Sequence, residues 1–446
     1  MADHCGYVVK IKDIRKHNNA DRLQIATIFG NDVIVGLVVK PGDLGVYFPS
    51  GLQLSERFCQ VNDLVRRKDE NGNQVGGFLD PDKRNVKALK LRGERSDGLW
   101  LPITCLADFC PISDLKVGDT IDVVNGEQIC CKYIPRTNPG YGGRRYSGPK
   151  KAKVNICPLF QEHVDTEQLA YHLSAFKPGD LVQLTLKAHG SSQRQGYLPI
   201  LHTKRTWLDK LLRRHGTDYY EYGNVVGTRR VVLSNERNGG YYDSDDWRQA
   251  MAKKFEGKLH RGETVYYEVC GFQGPGGKPI MATVDNSKVN NQLFRKKYGD
   301  TTTFSYGCTQ DHGYEDESPC CDVWVYRITL TNEDGYSVEY SPDQIRERCE
   351  QMDVNYVMEF ERFFIPDDCN TPGEYVLRKC EEYYDGADPI GKTHVREGVV
   401  ARICNRSKFA VYKHKNFSFK VLEGIAVDSL TDDQISSMSP DMIEEL

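Results

Sequence analysis

Between residues 181 and 415 the chain carries a succession of short β-rich runs whose charged residues fall at the ends or on one face of each run. The first, Leu181-Val182-Gln183-Leu184-Thr185-Leu186, is apolar and passes directly into Lys187-Ala188-His189-Gly190-Ser191-Ser192. A strand that ends this way presents an amine at its tip, and the glycine allows a turn that brings backbone amides toward a phosphate. Asn224 to Ser234 places Arg229 and Arg230 between β-branched runs, and Thr264 to Gly271 carries the single acid Glu268. Asp322 to Ile328 alternates and holds Trp324 and Tyr326. Arg396-Glu397-Gly398 opens another strand, and Val411 to Lys415 closes the series. Lys413 and Lys415 are two apart and therefore share a strand face. Such a set builds sheets, and the charges gather only if the strand ends converge.

Helices fit between these strands. Apolar spacing predicts them over 207–214, 246–255, 342–352 and 373–384. The region is therefore mixed α/β. Residues 5 to about 125 instead read as all-β: Val8–Ile11, Leu23–Phe29, Asp32–Val39, Lys87–Gly93 and Gly98–Ile103 are separated by turn clusters such as Pro41-Gly42-Asp43. Short strands at that density suit a small barrel, with the oligonucleotide-binding (OB) fold as first choice and a packing barrel or sandwich as the other. From Lys132 to Lys153 there are seven cations, no acid, and interleaved Tyr133, Tyr141 and Tyr146. That mixture suits phosphates and stacked bases, or a solvated tether. The overall class is α+β, divided as 1–130 OB-like, 131–158 basic linker, 159–425 mixed α/β domain and 426–446 acidic tail.

Charge limits the alternatives. With 27% charged residues and a net charge of −4, the chain is not a globally basic coat for nucleic acid, so any such binding uses local patches. No apolar run reaches the ~18 residues of a membrane span, and the first residues show no signal-peptide pattern. A soluble, cytoplasmic monomer is expected. The fifteen cysteines are scattered without a Cys-x-x-Cys pair, which favours reduced thiols over a zinc site.

Lysine is both a strong cation and, once deprotonated, a good nitrogen nucleophile. Taken in order, the segments around Lys187, Glu268, Tyr326, Glu397-Gly398 and Lys413-His414-Lys415 resemble the five motifs of the covalent nucleotidyltransferase superfamily of ATP-dependent ligases and capping enzymes. His189 in place of the more common aspartate, the stretch Tyr267 to Gly276, and Asn416 after the last motif resemble its nick-sealing RNA ligases. The N-terminal β-rich region resembles that of Deinococcus-type and phage enzymes. Arg327 stands where the family often has an acid, so Trp324 is a second candidate for the aromatic position.

The resemblance implies an ATP-grasp-like adenylyltransferase domain with antiparallel sheets and an ATP-dependent RNA ligase acting through lysyl-AMP and RNA-adenylate in RNA repair. It implies Lys187 as nucleophile and Lys413 and Lys415 as catalytic cations. Nucleotide contacts would come from Gly190, Arg229, Glu268, Tyr326 and Glu397, with Glu397 also holding Mg²⁺ or Mn²⁺. The expected partner is broken or nicked RNA, including duplex. The alternatives are a GTP-dependent capping guanylyltransferase and an inactive RNA-binding protein on the same scaffold.

Overall fold

A computed structural model describes residues 4–68, 74–77, 79–133, 157–164, 166–207, 212, 216–229, 232–233, 246–424 and 426–427. The chain forms two compact units. One comprises Met1–Arg136, Val284–Asp300 and Asn416–Leu446; the other comprises Thr137–Thr283 and Thr301–Lys415. Most of the basic stretch 131–158 and of the acidic tail lies outside the described residues, as does most of the helix expected over 207–214.

The first unit is built from short strands. Leu99–Pro102, Leu44–Phe48, Gly6–Lys10 and Thr120–Ile121 form an antiparallel sheet in that order, and Ile14–Lys16, Leu23–Ile28 and Asn31–Gly36 form a second. A third joins Glu94–Asp97 to Ala88–Leu91, which pairs in parallel with Ala426–Val427. None of these sheets closes into a barrel among the described residues. The number of strands suggested a closed sheet, but their pairing is divided among small sheets, with one buried cluster at Leu23, Ile34 and Leu91 and a larger core beside the first sheet. Val8, Val46, Phe48, Phe58, Leu101 and Ile121 are buried there. The helix Glu56–Val61, capped by Ser55, contributes Phe58 to it.

The second unit contains two larger sheets. The five-stranded one runs Glu167–Gln168, Val411–Lys415, Gly398–Ile403, Leu181–Leu186 and Glu359–Phe364. The six-stranded one runs Thr217–Thr228, Ser191–Lys204, Glu263–Gly271, Cys321–Thr331 and Ser337–Glu339, with Asn355–Tyr356 also beside Cys321–Thr331. All pairings are antiparallel except Glu167–Gln168 with Tyr412–Lys413 and Trp324–Val325 with Asn355–Tyr356. The helix Asp246–Lys253 buries Trp247 and Met251 against the six-stranded sheet. Pro342–Met352 does the same with Ile345, Cys349 and Met352; it starts at a Ser341/Gln344 capping box followed by proline. Its Arg348 holds the fully buried Glu263 through two hydrogen bonds of 2.9 and 2.8 Å. The helix Pro372–Tyr383 covers the five-stranded sheet with Val376, Leu377 and Cys380. All fifteen cysteines are free. Among the described residues no helix is long and apolar enough to cross a membrane.

The connection that matters most is short. Leu181–Leu186 belongs to one sheet and Ser191–Lys204 to the other, so residues 187–190 cross between them.

Candidate active site

Lys187 sits on that crossing, with its N–H bonded to the carbonyl of Gly398 at 3.1 Å. Its ammonium lies 2.8 Å from Glu397 Oε1, and Lys415 reaches the same oxygen at 3.1 Å. Glu397 is 1% exposed. Burial alone would push its carboxyl up, but the Lys187 and Lys415 ammoniums and His189 outweigh that and hold it well below the usual carboxylate range. His189 Nδ1 is 3.6 Å from Glu397 Oε2, while its N–H donates to Tyr306 Oη at 2.7 Å.

Two glycines make this packing feasible. A Cβ on Gly190 would stand 2.5 Å from the Val269 carbonyl and 2.7 Å from Cys270 Sγ, so only glycine lets the crossing lie against the Glu263–Gly271 strand. Gly398 has φ +148°, and a Cβ there would stand 2.1 Å from the His414 carbonyl. Gly398 is the cross-strand partner of Lys415. The glycine after Glu397 therefore brings the carboxylate and Lys415 together.

In front of these groups lies a cavity of about 650 Å³. Lys187, Gly190, Arg229, Glu268, Tyr326, Lys413 and Lys415 all line it, and Glu397 stands behind Lys187 and Lys415. Burial pushes the Glu268 carboxyl up to about 7, with Lys187 opposing and Glu397 reinforcing the shift. Tyr326 Oη is 3.1 Å from Ser192 Oγ. Trp324 packs instead near Tyr306, with ring centroids 5.9 Å apart, and does not line the cavity. Arg327 is held by Glu339 at 2.5 Å and stacks over Tyr266 and Phe409. Arg230 lies outside the described residues.

One oxygen of Glu268 and one of Glu397 are buried without a hydrogen-bond partner among the described residues. The Glu397 oxygen, with His189 Nδ1 at 3.6 Å, is of the type a hydrated divalent cation prefers. The arrangement thus combines a lysine at the cavity wall, added positive charge, an aromatic ring and two carboxylates.

No family model and no curated protein sequence matches the chain. Solved structures do match. An RNA ligase from Naegleria gruberi with PPi aligns at a TM-score of 0.58 and 15% identity, over 93% of this chain and 97% of that one. A lysine-to-alanine variant of that ligase with ATP and Mn aligns at 0.56 and 16% identity, over 94% and 98%. This chain has the fold of those ligases. A lysine-to-methionine variant with AMP and Mn gives 0.56 at 15% identity, over 94% and 98%. The likeness is in the course of the chain; the chemistry has to come from this chain's own side chains.

Several residues lining the cavity, and others supporting its wall, carried no motif. Gln183 is buried in the Leu181–Leu186 strand and donates to Tyr356 Oη at 2.8 Å and Glu359 Oε2 at 2.5 Å. A polar residue inside an apolar strand was its only signal. Arg402 lines the same end and donates to the Tyr340 carbonyl at 2.6 Å. Arg248 holds Ser191 Oγ at 2.6 Å from a helix 57 residues away. His163, Tyr306 and the run Ile280 to Ala282 had no local signature, because only the tertiary fold brings them near Lys187.

Proposed function

We propose that the protein is an ATP-dependent RNA ligase that joins 3′-hydroxyl and 5′-phosphate ends through a lysyl-AMP and an RNA-adenylate. The observation that carries this reading is the buried Glu397 shared by Lys187 and Lys415 beside a cavity faced by Tyr326 and Glu268. Lys187 gives up one proton to solvent and its nitrogen attacks the α-phosphorus of ATP: a P–N bond forms, the α–β P–O bond breaks, and pyrophosphate leaves. The second proton shed by nitrogen also passes to solvent. The 5′-phosphate of the RNA then attacks the same phosphorus, the P–N bond breaks, and Lys187 is restored by taking up a proton. A 3′-hydroxyl next attacks the activated 5′-phosphate, loses its proton and releases AMP, closing the phosphodiester.

Because phosphoryl transfer is governed mainly by positioning and charge, the cations dominate the barrier. Lys413 and Lys415 offset charge on the transferring phosphoryl group. Glu397 orients the amine of Lys187, Tyr326 stacks on adenine, Glu268 accepts from a ribose hydroxyl, and Arg229 meets phosphate or sugar at the rim. Mg²⁺ or Mn²⁺ would be held by Glu397 and would supply further charge neutralisation. The N-terminal unit serves as a holder of RNA, and the basic stretch 131–158 adds phosphate contacts. The chain acts as a cytoplasmic monomer in RNA repair.

The test is label transfer from α-labelled ATP with magnesium. We expect acid-labile label on the parent protein, and none on Lys187→Ala or Lys187→Arg, because arginine keeps the charge but cannot supply a neutral nitrogen. Label from GTP instead would make the protein a capping guanylyltransferase, and no label from either would leave a binding protein on this scaffold.

A further inference from the structure

Tyr306 is held in a backbone conformation that its side chain disfavours. It sits at φ +50° beside Gly307 at φ +78°, in a turn closed by the Cys308 N–H donating to the Ser305 carbonyl at 2.9 Å. Turns with two successive positive φ angles are dominated by glycine, asparagine and aspartate, and a bulky aromatic residue there is strained. Tyr306 is nevertheless 1% exposed. Its ring meets His394 edge-on at 4.7 Å and Trp324 at 5.9 Å. Such strain persists only where the surroundings enforce it, and it collects at functional sites.

The loop that leads to Glu397 enforces it. Ala387 pairs with Val395, the Asp388 N–H donates to the His394 carbonyl at 2.8 Å, and the Lys392 N–H donates to the Asp388 carbonyl at 3.0 Å. Asp388 and His394 are fully buried. Gly391 lies so close to the turn that a Cβ would stand 2.8 Å from the Gly307 nitrogen, and Thr393 Oγ1 is 3.4 Å from Ser305 Oγ. Phe304 packs edge-on with both His394, at 5.2 Å, and His189, at 4.7 Å. Three residues past His394 the chain reaches Glu397. One cluster therefore braces the approach to the carboxylate and, through Tyr306, the crossing that bears Lys187.

The hydroxyl acts on that crossing. Tyr306 Oη accepts from the His189 N–H at 2.7 Å, two residues beyond Lys187. The Lys187 N–H is tied to Gly398 and Gly190 is pressed against Val269, so this bond fixes the peptide between two anchors. Phenylalanine would fill the same space, and asparagine or glycine would suit the turn better. Tyrosine packs as phenylalanine does and adds the oxygen that meets this N–H. Attack on phosphorus tolerates little displacement, since misplacing a reacting group by about 1 Å can cost on the order of 10²-fold in rate.

We infer that Tyr306 is a positioning residue for Lys187: its hydroxyl fixes the backbone of residues 187–190 so that the amine meets the α-phosphorus of the nucleotide. The inference rests on the ligase reading of the cavity and adds to it a residue that stands behind the cavity wall rather than in its lining.

The experiment uses Tyr306→Phe in the full chain, which deletes one oxygen and keeps the ring. Two reactions are timed. The first is label transfer from α-labelled ATP over a range of ATP concentrations, in which Lys187 is the nucleophile. The second is sealing of a pre-adenylated RNA 5′ end to a 3′-hydroxyl without ATP, in which Lys187 forms no bond. The maximal rate of label transfer should fall about tenfold or more. The half-saturating ATP concentration and the sealing rate should each stay within about twofold of the parent protein. A general loosening of the core would slow both reactions alike. Unchanged label transfer, equal losses in the two reactions, or a defect confined to half-saturating ATP overturns the role of Tyr306. So does a variant that fails to fold, because the hydroxyl would then serve the core. Absence of label on the parent protein overturns the ligase reading instead.

Discussion

Glu268 and Glu397 are carboxyls of one site that the fold drives in opposite directions. Glu397 has two ammoniums within 3.1 Å and stays ionised well below the usual range, whereas Glu268, held by burial, is pushed up to about 7. The divergence separates their duties: Glu397 is a permanent anchor for cations, and Glu268 becomes a full acceptor only as it loses its proton near neutrality. It also carries a stability cost whose sign can be checked. An unfolded glutamate titrates near ~4.3, so between there and about 7 the folded state binds the Glu268 proton more tightly than the unfolded chain. Stability therefore falls as pH rises through that window and stays lower above it. Glu268→Gln removes the penalty. We expect the variant to melt higher than the parent protein at pH 8, with a smaller gain at pH 5, while label transfer from ATP falls. Equal gains in Tm at the two pH values would mean that Glu268 is not held protonated by its surroundings.

At the level of elements, the site depends on how two strands meet. Gly398 faces Lys415 across the sheet, and a methyl group there would collide with the His414 backbone. Gly398→Ala should cost at least about 1–3 kcal/mol through backbone strain alone, and the forced separation should draw Lys415 away from Glu397. Label transfer should then drop by an order of magnitude or more even where the protein remains folded, as judged by circular dichroism. Full activity in a folded variant would show that the Lys415–Glu397 contact is dispensable. This dependence also shows what could be read from sequence. Lys413 and Lys415 were legible because strand periodicity is local, and the helix Pro342–Met352 because its cap, proline and apolar spacing are local too. The convergence of Lys187, Glu268, Tyr326, Lys413 and Lys415 on one cavity depends on how the two sheets pack, since Glu268, Tyr326 and Lys413 lie inside their strands. The reason for Gly398 was not legible, since it exists only in the register with Lys415. Nor was the Gln183–Tyr356 contact, which spans 173 positions. The N-terminal sheets show the same limit: strand content was readable, but which strands pair is a matter of long-range packing. The count of strands suggested a closed barrel where the described strands form separate sheets.

On the scale of the molecule, the N-terminal unit is not an N-terminal segment. Its third segment returns near the end of the chain, where Ala426–Val427 extends the Ala88–Leu91 strand and Lys420 pairs with Asp97 at 2.5 Å. Phe419, Val421 and Leu422 are buried in the helix Phe417–Leu422, and Arg95 covers the ring of Phe417. The second segment joins through Lys288, which donates to the Leu422 carbonyl at 3.4 Å. Deleting residues 1–136 would thus strip these segments of their partners without removing them. Each large apolar side chain returned to water costs roughly 1.5–3 kcal/mol, a large share of the ~5–15 kcal/mol that keeps a domain folded. We expect such a truncation to aggregate or melt well below the parent protein. A second variant should behave better: it also ends at Lys415 and replaces 284–300 with a short glycine–serine bridge. That bridge is feasible because Thr283 and Thr303 lie within hydrogen-bond reach, with their hydroxyls 3.0 Å apart. Size-exclusion chromatography and thermal melts distinguish the two. If the simple truncation is monodisperse and melts as cooperatively as the double deletion, residues 284–300 and 416–427 do not depend on the N-terminal strands, and the unit is not assembled from three parts of the chain.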